Sequence, residues 1–164
     1  MATTAVPLQQ TTGEIIEQFQ QQAPVDILGL AAALGLHVWE DDINPYSGKL
    51  TKDALHGGFS GYSIIVNAIE PLPRKRFTIA HEIAHFILHG DELIKNDIEE
   101  TLYRGGLSDR LEAEANKLAA DILMPLSLIE QLINGGKRSI EELADALEVS
   151  KTAIGIRLGA SYAD

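Results

Sequence analysis

Residues 80–89 read AHEIAHFILH. Three histidines and one glutamate interrupt a run of Ala, Ile, Phe and Leu. The apolar residues Phe77, Ile79, Ile83, Phe86, Ile87 and Leu88 cover most of a helix circumference, so this stretch predicts a buried helix. Titratable side chains on such a helix are costly unless something pairs or ligates them.

On a helix His81 and His85 stand four residues apart and face the same way. Both imidazoles can then reach one ion at about 2.0–2.1 Å. Glu82 points about 100° away from His81, beside the ion, where a base acting on a water belongs. HExxH on a helix is the zinc-peptidase spacing, so the pattern predicts a metal helix with Glu82 as the catalytic glutamate. The bland alternative, a helix with surface His and Glu, fits the apolar flanks poorly. His89 lies about 12 Å along the axis from His81, too far to share its ion. It is expected to cap the last turn of the helix beside Gly90.

A third ligand must come from elsewhere. Asp91 has a metzincin-like offset from His81, but that motif turns the chain on a Gly where this sequence has Leu88. The stretch RLEAEANKLAADILMP (110–125) offers more. Ala115, Leu118, Ala119, Ile122 and Leu123 form an apolar face, and the alanines permit close packing against another helix. Glu112 and Asn116 share a face four residues apart. Glu112 can bind the ion while Asn116 supports a ligand histidine from behind. Glu114 points about 160° from Glu112 and is the alternative ligand.

Around these two helices the pattern is mixed. A polar-faced helix is expected over 13–23, ended by Pro24, and a second over 27–34, capped by Asp26 and closed by Gly35. LHVWED (36–41) alternates as a strand, 42–56 reads as loop, and GGFSGYSIIVNA (57–68) reads as a hairpin or bulged strand pair with YSIIVN its strongest strand. Pro71 and Pro73 open the histidine helix and Gly90 is expected to close it. Residues 91–107 read as loop. Further helices are expected from Ser108 or Asp109 to Met124, over 126–134, over 140–147 behind a Ser139/Glu142 capping box, and after Ser150. The fold class is α+β: a mostly helical, zincin-like domain over 13–164, with a small sheet in its N-terminal half and helix-turn-helix-like helices at 139–159 packed on it. Residues 1–12 are expected to be a flexible tail rather than a signal peptide.

Composition narrows the classes. The chain of 164 residues has no cysteine, hence no disulfides and no thiolate ligands, which suits a cytoplasmic protein. No run reaches the length of a membrane span. The net charge of −11 argues against a nucleic-acid surface. The last helix has helix-turn-helix rhythm, with Glu148 where the turn glycine normally sits, but offers only Lys151 and Arg157 as cations. Packing, or docking of a protein partner, is the expected role.

RKRFTIAHEIAHFILH followed by LEAEANKLAADILMP resembles the ImmA/IrrE family of zinc metallo-endopeptidases. The matching positions are Arg74–Phe77, His81–His85, Glu112–Asn116 and Leu123–Pro125. VDILGLAAALGLHV (25–38) and SIEELADALEVSKTAIGIRL (139–158) resemble the family's flanking helices. Leu118 stands where a Phe is usual, a packing change. The resemblance implies His81, His85 and Glu112 as ligands of one Zn²⁺ per chain, and Glu82 as the catalytic glutamate. It implies a cytosolic endopeptidase that cleaves a protein partner, typically a helix-turn-helix repressor or antitoxin, in mobile elements, stress responses or toxin–antitoxin-like pairs. Two rivals are a metal-containing module that holds a partner without proteolysis, and a toxin acting on some other bond. An intact Glu82 argues against the first, since a structural site has no use for a base. Tyr62, Tyr103 and His56 are the available donors for an oxyanion, with nothing in the sequence to place them.

Overall fold

The computed structural model describes residues 10–95 and 106–159, with side chains at 91–95 and 106–108 excepted. Its order is α1 (Thr12–Phe19), α2 (Ile27–Ala33), β1 (Leu36–Asp41), β2 (Gly48–Lys52), β3 (Tyr62–Asn67), α3 (Leu72–Lys95), α4 (Gly106–Leu123), α5 (Leu126–Asn134), α6 (Ile140–Leu147) and α7 (Lys151–Arg157). The fold is α+β and mostly helical, with one small sheet among the described residues.

The sheet runs β1–β3–β2. β1 lies parallel to β3, with Leu36 opposite Tyr62, and β2 lies antiparallel to it, with Leu50 opposite Ile64. β3 is therefore the central strand. Its near-continuous apolar run is the signature of a strand buried on both faces, and Ile64 and Val66 are buried. The stretch before it pairs in no hairpin. Gly58 instead passes against the backbone of Gly35, so closely that a Cβ at 58 would overlap the Gly35 carbonyl.

β2 falls inside the stretch expected to be loop. The sequence GKLTK buries only Leu50, so an edge strand this short carries almost no alternation to detect. α1 starts at Thr12, behind a capping box of Thr11 and Glu14, and ends at Phe19 well short of Pro24. α2 starts behind Asp26, whose carboxylate accepts from the Gly29 N–H at 2.9 Å. α3 runs through Gly90 to Lys95 where a stop was expected. A single helical glycine costs only about 1 kcal/mol relative to alanine, and no breaker follows Gly90 to add to it. α5, α6 and α7 form where expected, and the Ser139/Glu142 capping box is present.

α3 packs against the sheet and α4 packs beside α3, and the small residues Ala80, Ala84, Ala115 and Ala119 are all fully buried. One apolar cluster joins Val25 and Leu30, Leu50 and Ile64 of the sheet, Ile79 and Ile83 of α3, Ile122 of α4 with Met124 just after it, and Leu147 and Ile154 of the last two helices. The C-terminal helices thus share the core of the metal helices. Arg157 on α7 donates from Nε to the Met124 carbonyl at 2.9 Å and from Nη1 to Asp121 at 2.7 Å.

Candidate metal centre

The packing of α3 on α4 brings together residues more than twenty-five positions apart in the chain. His81 and His85 present Nε2 atoms 3.0 Å apart. The Glu112 carboxylate closes the third side, with Oε2 3.1 Å from His81 Nε2 and Oε1 3.0 Å from His85 Nε2. One ligand atom from each of the three lies within 4.8 Å of the others. Two imidazoles and a carboxylate are a donor set that suits zinc. The spare polar atoms of both rings are also held, as a ligand site requires. His81 Nδ1 lies 2.9 Å from Asn116 Oδ1, and His85 Nδ1 lies 3.0 Å from His89 Nδ1.

Burial sets the charge states. His85 is almost fully buried, and burial, aided by the nearby His81, pushes its pKa down to about 4. It is therefore a neutral ring with a lone pair to give. Glu82 moves the other way, up to about 7, because burial and the neighbouring Glu112 charge both disfavour its anion, while the Leu50 N–H donates to it and favours the anion. A carboxylate near neutrality is a competent proton acceptor and donor at physiological pH.

β2 lies directly above this point. A Cβ on Gly48 would clash with Thr78 Cγ2 and come 3.5 Å from Glu82 Oε1. Only glycine lets the strand sit that low on α3. The site opens into a cleft of about 1200 Å³. Its lining includes Ser47 and Gly48, the apolar side chains of Phe77 and Met124, and Ala153 and Ile156 of α7.

Several sequence expectations have a definite location. Asn116 stands on His81. Glu114 is not among the three converging residues: its Oε2 lies 3.0 Å from His89 Nε2. His89 caps no helix end, because α3 continues past it, and it is buried between His85 and Glu114. The clue was the third histidine four residues beyond the second, which repeats the i, i+4 stripe. Tyr62 does not line the cleft; its ring meets Phe86 edge-on at 5.6 Å. His56 is exposed, with its carbonyl bonded to His37 at 2.7 Å. Tyr103 and the Asp91 side chain lie outside the described residues.

A model of the IrrE N-terminal-like domain, a peptidase family, matches residues 31–159. The radiation response metalloprotease IrrE of Deinococcus radiodurans is 37% identical over 93 residues, 55% of this chain and 28% of that protein. Its counterpart from Deinococcus deserti is 36% identical over 93 residues, 55% of this chain and 33% of that protein. The chain thus spans a third or less of the length of these curated relatives. A Mycobacterium tuberculosis transcriptional regulator has a similar fold, with a TM-score of 0.62 at 13% identity over 93% of this chain and 47% of that one. That likeness concerns the fold alone. With the family model spanning both metal helices and the C-terminal pair, the chain belongs to the IrrE N-terminal-like domain family of peptidases.

Proposed function

We propose that this domain is a zinc-dependent endopeptidase that hydrolyses a peptide bond in one specific protein partner, a cytoplasmic helix-turn-helix repressor or antitoxin. The observation that carries it is the convergence of His81, His85 and Glu112 on one point with Glu82 beside it. Those three would hold one zinc ion, whose Lewis acidity, when bound, activates a water and polarises a scissile carbonyl. Glu82 takes the water's proton and passes it to the leaving amine. Asn116 holds the His81 ring in orientation from behind.

A substrate must enter extended for its carbonyl to reach the site. β1 and β2 are both edge strands, and of the two it is β2 that reaches the cleft, through Gly48 beside Ser47, so β2 is the edge offered to an incoming peptide. One partner is favoured over a broad range of peptides, with the partner's folded surface supplying affinity. The experiment is to incubate the zinc-loaded protein, and its Glu82→Gln variant, with the repressor encoded beside it and separately with denatured casein. Cleavage of the repressor by the parent only, at one or a few sites, is expected. Rapid digestion of casein with the repressor left whole would overturn the dedicated-protease reading, and capture of the repressor without cleavage would make the domain a binding module.

A further inference from the structure

Beyond the ligands lies a second line of polar groups on the same two helices. His85 Nδ1 is 3.0 Å from His89 Nδ1, and His89 Nε2 is 3.0 Å from Glu114 Oε2. Both histidines are almost fully buried, whereas Glu114 reaches solvent and also lies 3.5 Å from Arg110 Nε. The line runs from the surface to the proposed metal, two imidazoles deep.

The protons along it can be placed in order. The Glu114 carboxylate can only accept, so His89 Nε2 carries a hydrogen. An imidazole whose one hydrogen is on Nε2 offers a lone pair at Nδ1, 3.0 Å from His85 Nδ1. His85 must then donate from Nδ1, and its Nε2 is left bare, directed at Glu112 and His81. The reverse order would put a hydrogen on His85 Nε2, where a ligand atom has to be. His81 reaches the same tautomer by a shorter route, through Asn116 alone.

We propose that His89 and Glu114 are positioning residues: they form with His85 a carboxylate–imidazole–imidazole chain that fixes the tautomer and ring orientation of a zinc ligand. This rests on the metal reading above, and it gives two residues outside the HExxH motif a defined part in holding the ion. The requirement at position 89 is for an acceptor beside His85 Nδ1, not for an imidazole as such. Asn places an oxygen where Nδ1 stands in His and so keeps the acceptor; Leu fills similar space without one.

The test compares zinc affinity, by competition with a chromophoric chelator, and the visible spectrum of the Co²⁺ form, for the parent, His89→Leu, His89→Asn and Glu114→Ala. Melting of each metal-free variant reports the fold. His89→Leu is expected to lower zinc affinity about 10- to 100-fold, the usual effect of removing a group that holds a metal-ligating histidine, and to shift the Co²⁺ bands. His89→Asn is expected to recover most of that loss. Glu114→Ala, at the exposed end, is expected to fall between the parent and His89→Leu. If His89→Leu binds zinc as tightly as the parent with an unchanged Co²⁺ spectrum, the chain does not position His85. If Leu and Asn variants lose metal alike and melt lower without it, His89 is packing only. A parent that binds no zinc would instead overturn the metal reading, and this inference with it.

Discussion

On the proposed mechanism Glu82 acts on the water and is not itself a ligand. Glu82→Gln keeps both imidazoles and Glu112, so metal content should be unchanged while turnover falls about 10²- to 10⁴-fold, the usual share of a general base. Equal cleavage by parent and variant would remove Glu82 from the chemistry. Its pKa also predicts a stability effect of definite sign. In the folded, metal-free protein the group sits near 7, above the ordinary value of 4.5, so the fold binds its proton more tightly than the unfolded chain does. That group therefore costs stability as pH rises from 4.5 to 7, and costs none below. Metal-free Glu82→Gln should melt higher than metal-free parent at about pH 8 and level with it near pH 4. On the proposed assignment, Glu112→Ala should lose metal far more completely than Glu114→Ala, because Glu112 would bind the ion directly and Glu114 would act through two imidazoles. A zinc titration in the opposite order would make Glu114 the ligand.

At the scale of elements, two contacts hold the site's walls. β2 rests on α3 only because position 48 has no side chain, and Thr78, a β-branched residue on a buried helix, has little freedom to yield. Gly48→Val should lift the strand, costing about 1–3 kcal/mol by overpacking and raising KM more than it lowers kcat. Unchanged melting and KM would show that β2 does not sit as described. The second contact ties the C-terminal helices to α3. Glu148 ends α6 in the left-handed region, at φ 52° and ψ 46°, a conformation L-residues adopt at a cost of about 1–2 kcal/mol. A glycine would suit the turn better, but Glu148 Oε2 lies 3.5 Å from Nη1 of buried Arg76, whose Nη2 donates to the Val25 carbonyl at 2.7 Å. Glu148→Ala loses the ion pair and keeps the strain, whereas Glu148→Gly loses the pair and relieves the strain. Urea melts should rank parent, then Gly, then Ala; an Ala variant as stable as the parent would make the ion pair inconsequential.

For the whole molecule, charge and packing leave little for duplex DNA to bind. Net charge is −11, and of the two cations on α7, Arg157 is bound to α4 and Lys151 lies 3.3 Å from Glu141. Few phosphate contacts remain for duplex DNA. No helix among the described residues is long and apolar enough to cross a membrane. The isolated protein should leave the mobility of duplex DNA unchanged at moderate ionic strength. A salt-dependent shift would return the last two helices to a DNA-reading role. Their place here is in the cleft wall, through Ala153 and Ile156, and in the shared core, through Leu147 and Ile154.

What the amino-acid sequence determined by itself were the features set by local periodicity. The spacing of His81, Glu82 and His85, the i, i+4 relation of Glu112 and Asn116, and the caps at Asp26, Ser139 and Ser150 all lie within a turn or two of one helix. Helical geometry alone settles such relations. Tertiary structure decided what depends on neighbours distant in sequence. GKLTK becomes a strand because β3 offers it an edge, not because its own pattern demands one. The histidine helix passes Gly90 because one glycine is a small cost, where the sequence suggested a stop. His89 and Glu114 meet only once α3 and α4 are packed side by side. Their local partners, His85 and Arg110, lie four residues away on the same helices and do not signal the meeting, so a buried histidine and an exposed glutamate become a single chain only through the contact between two helices.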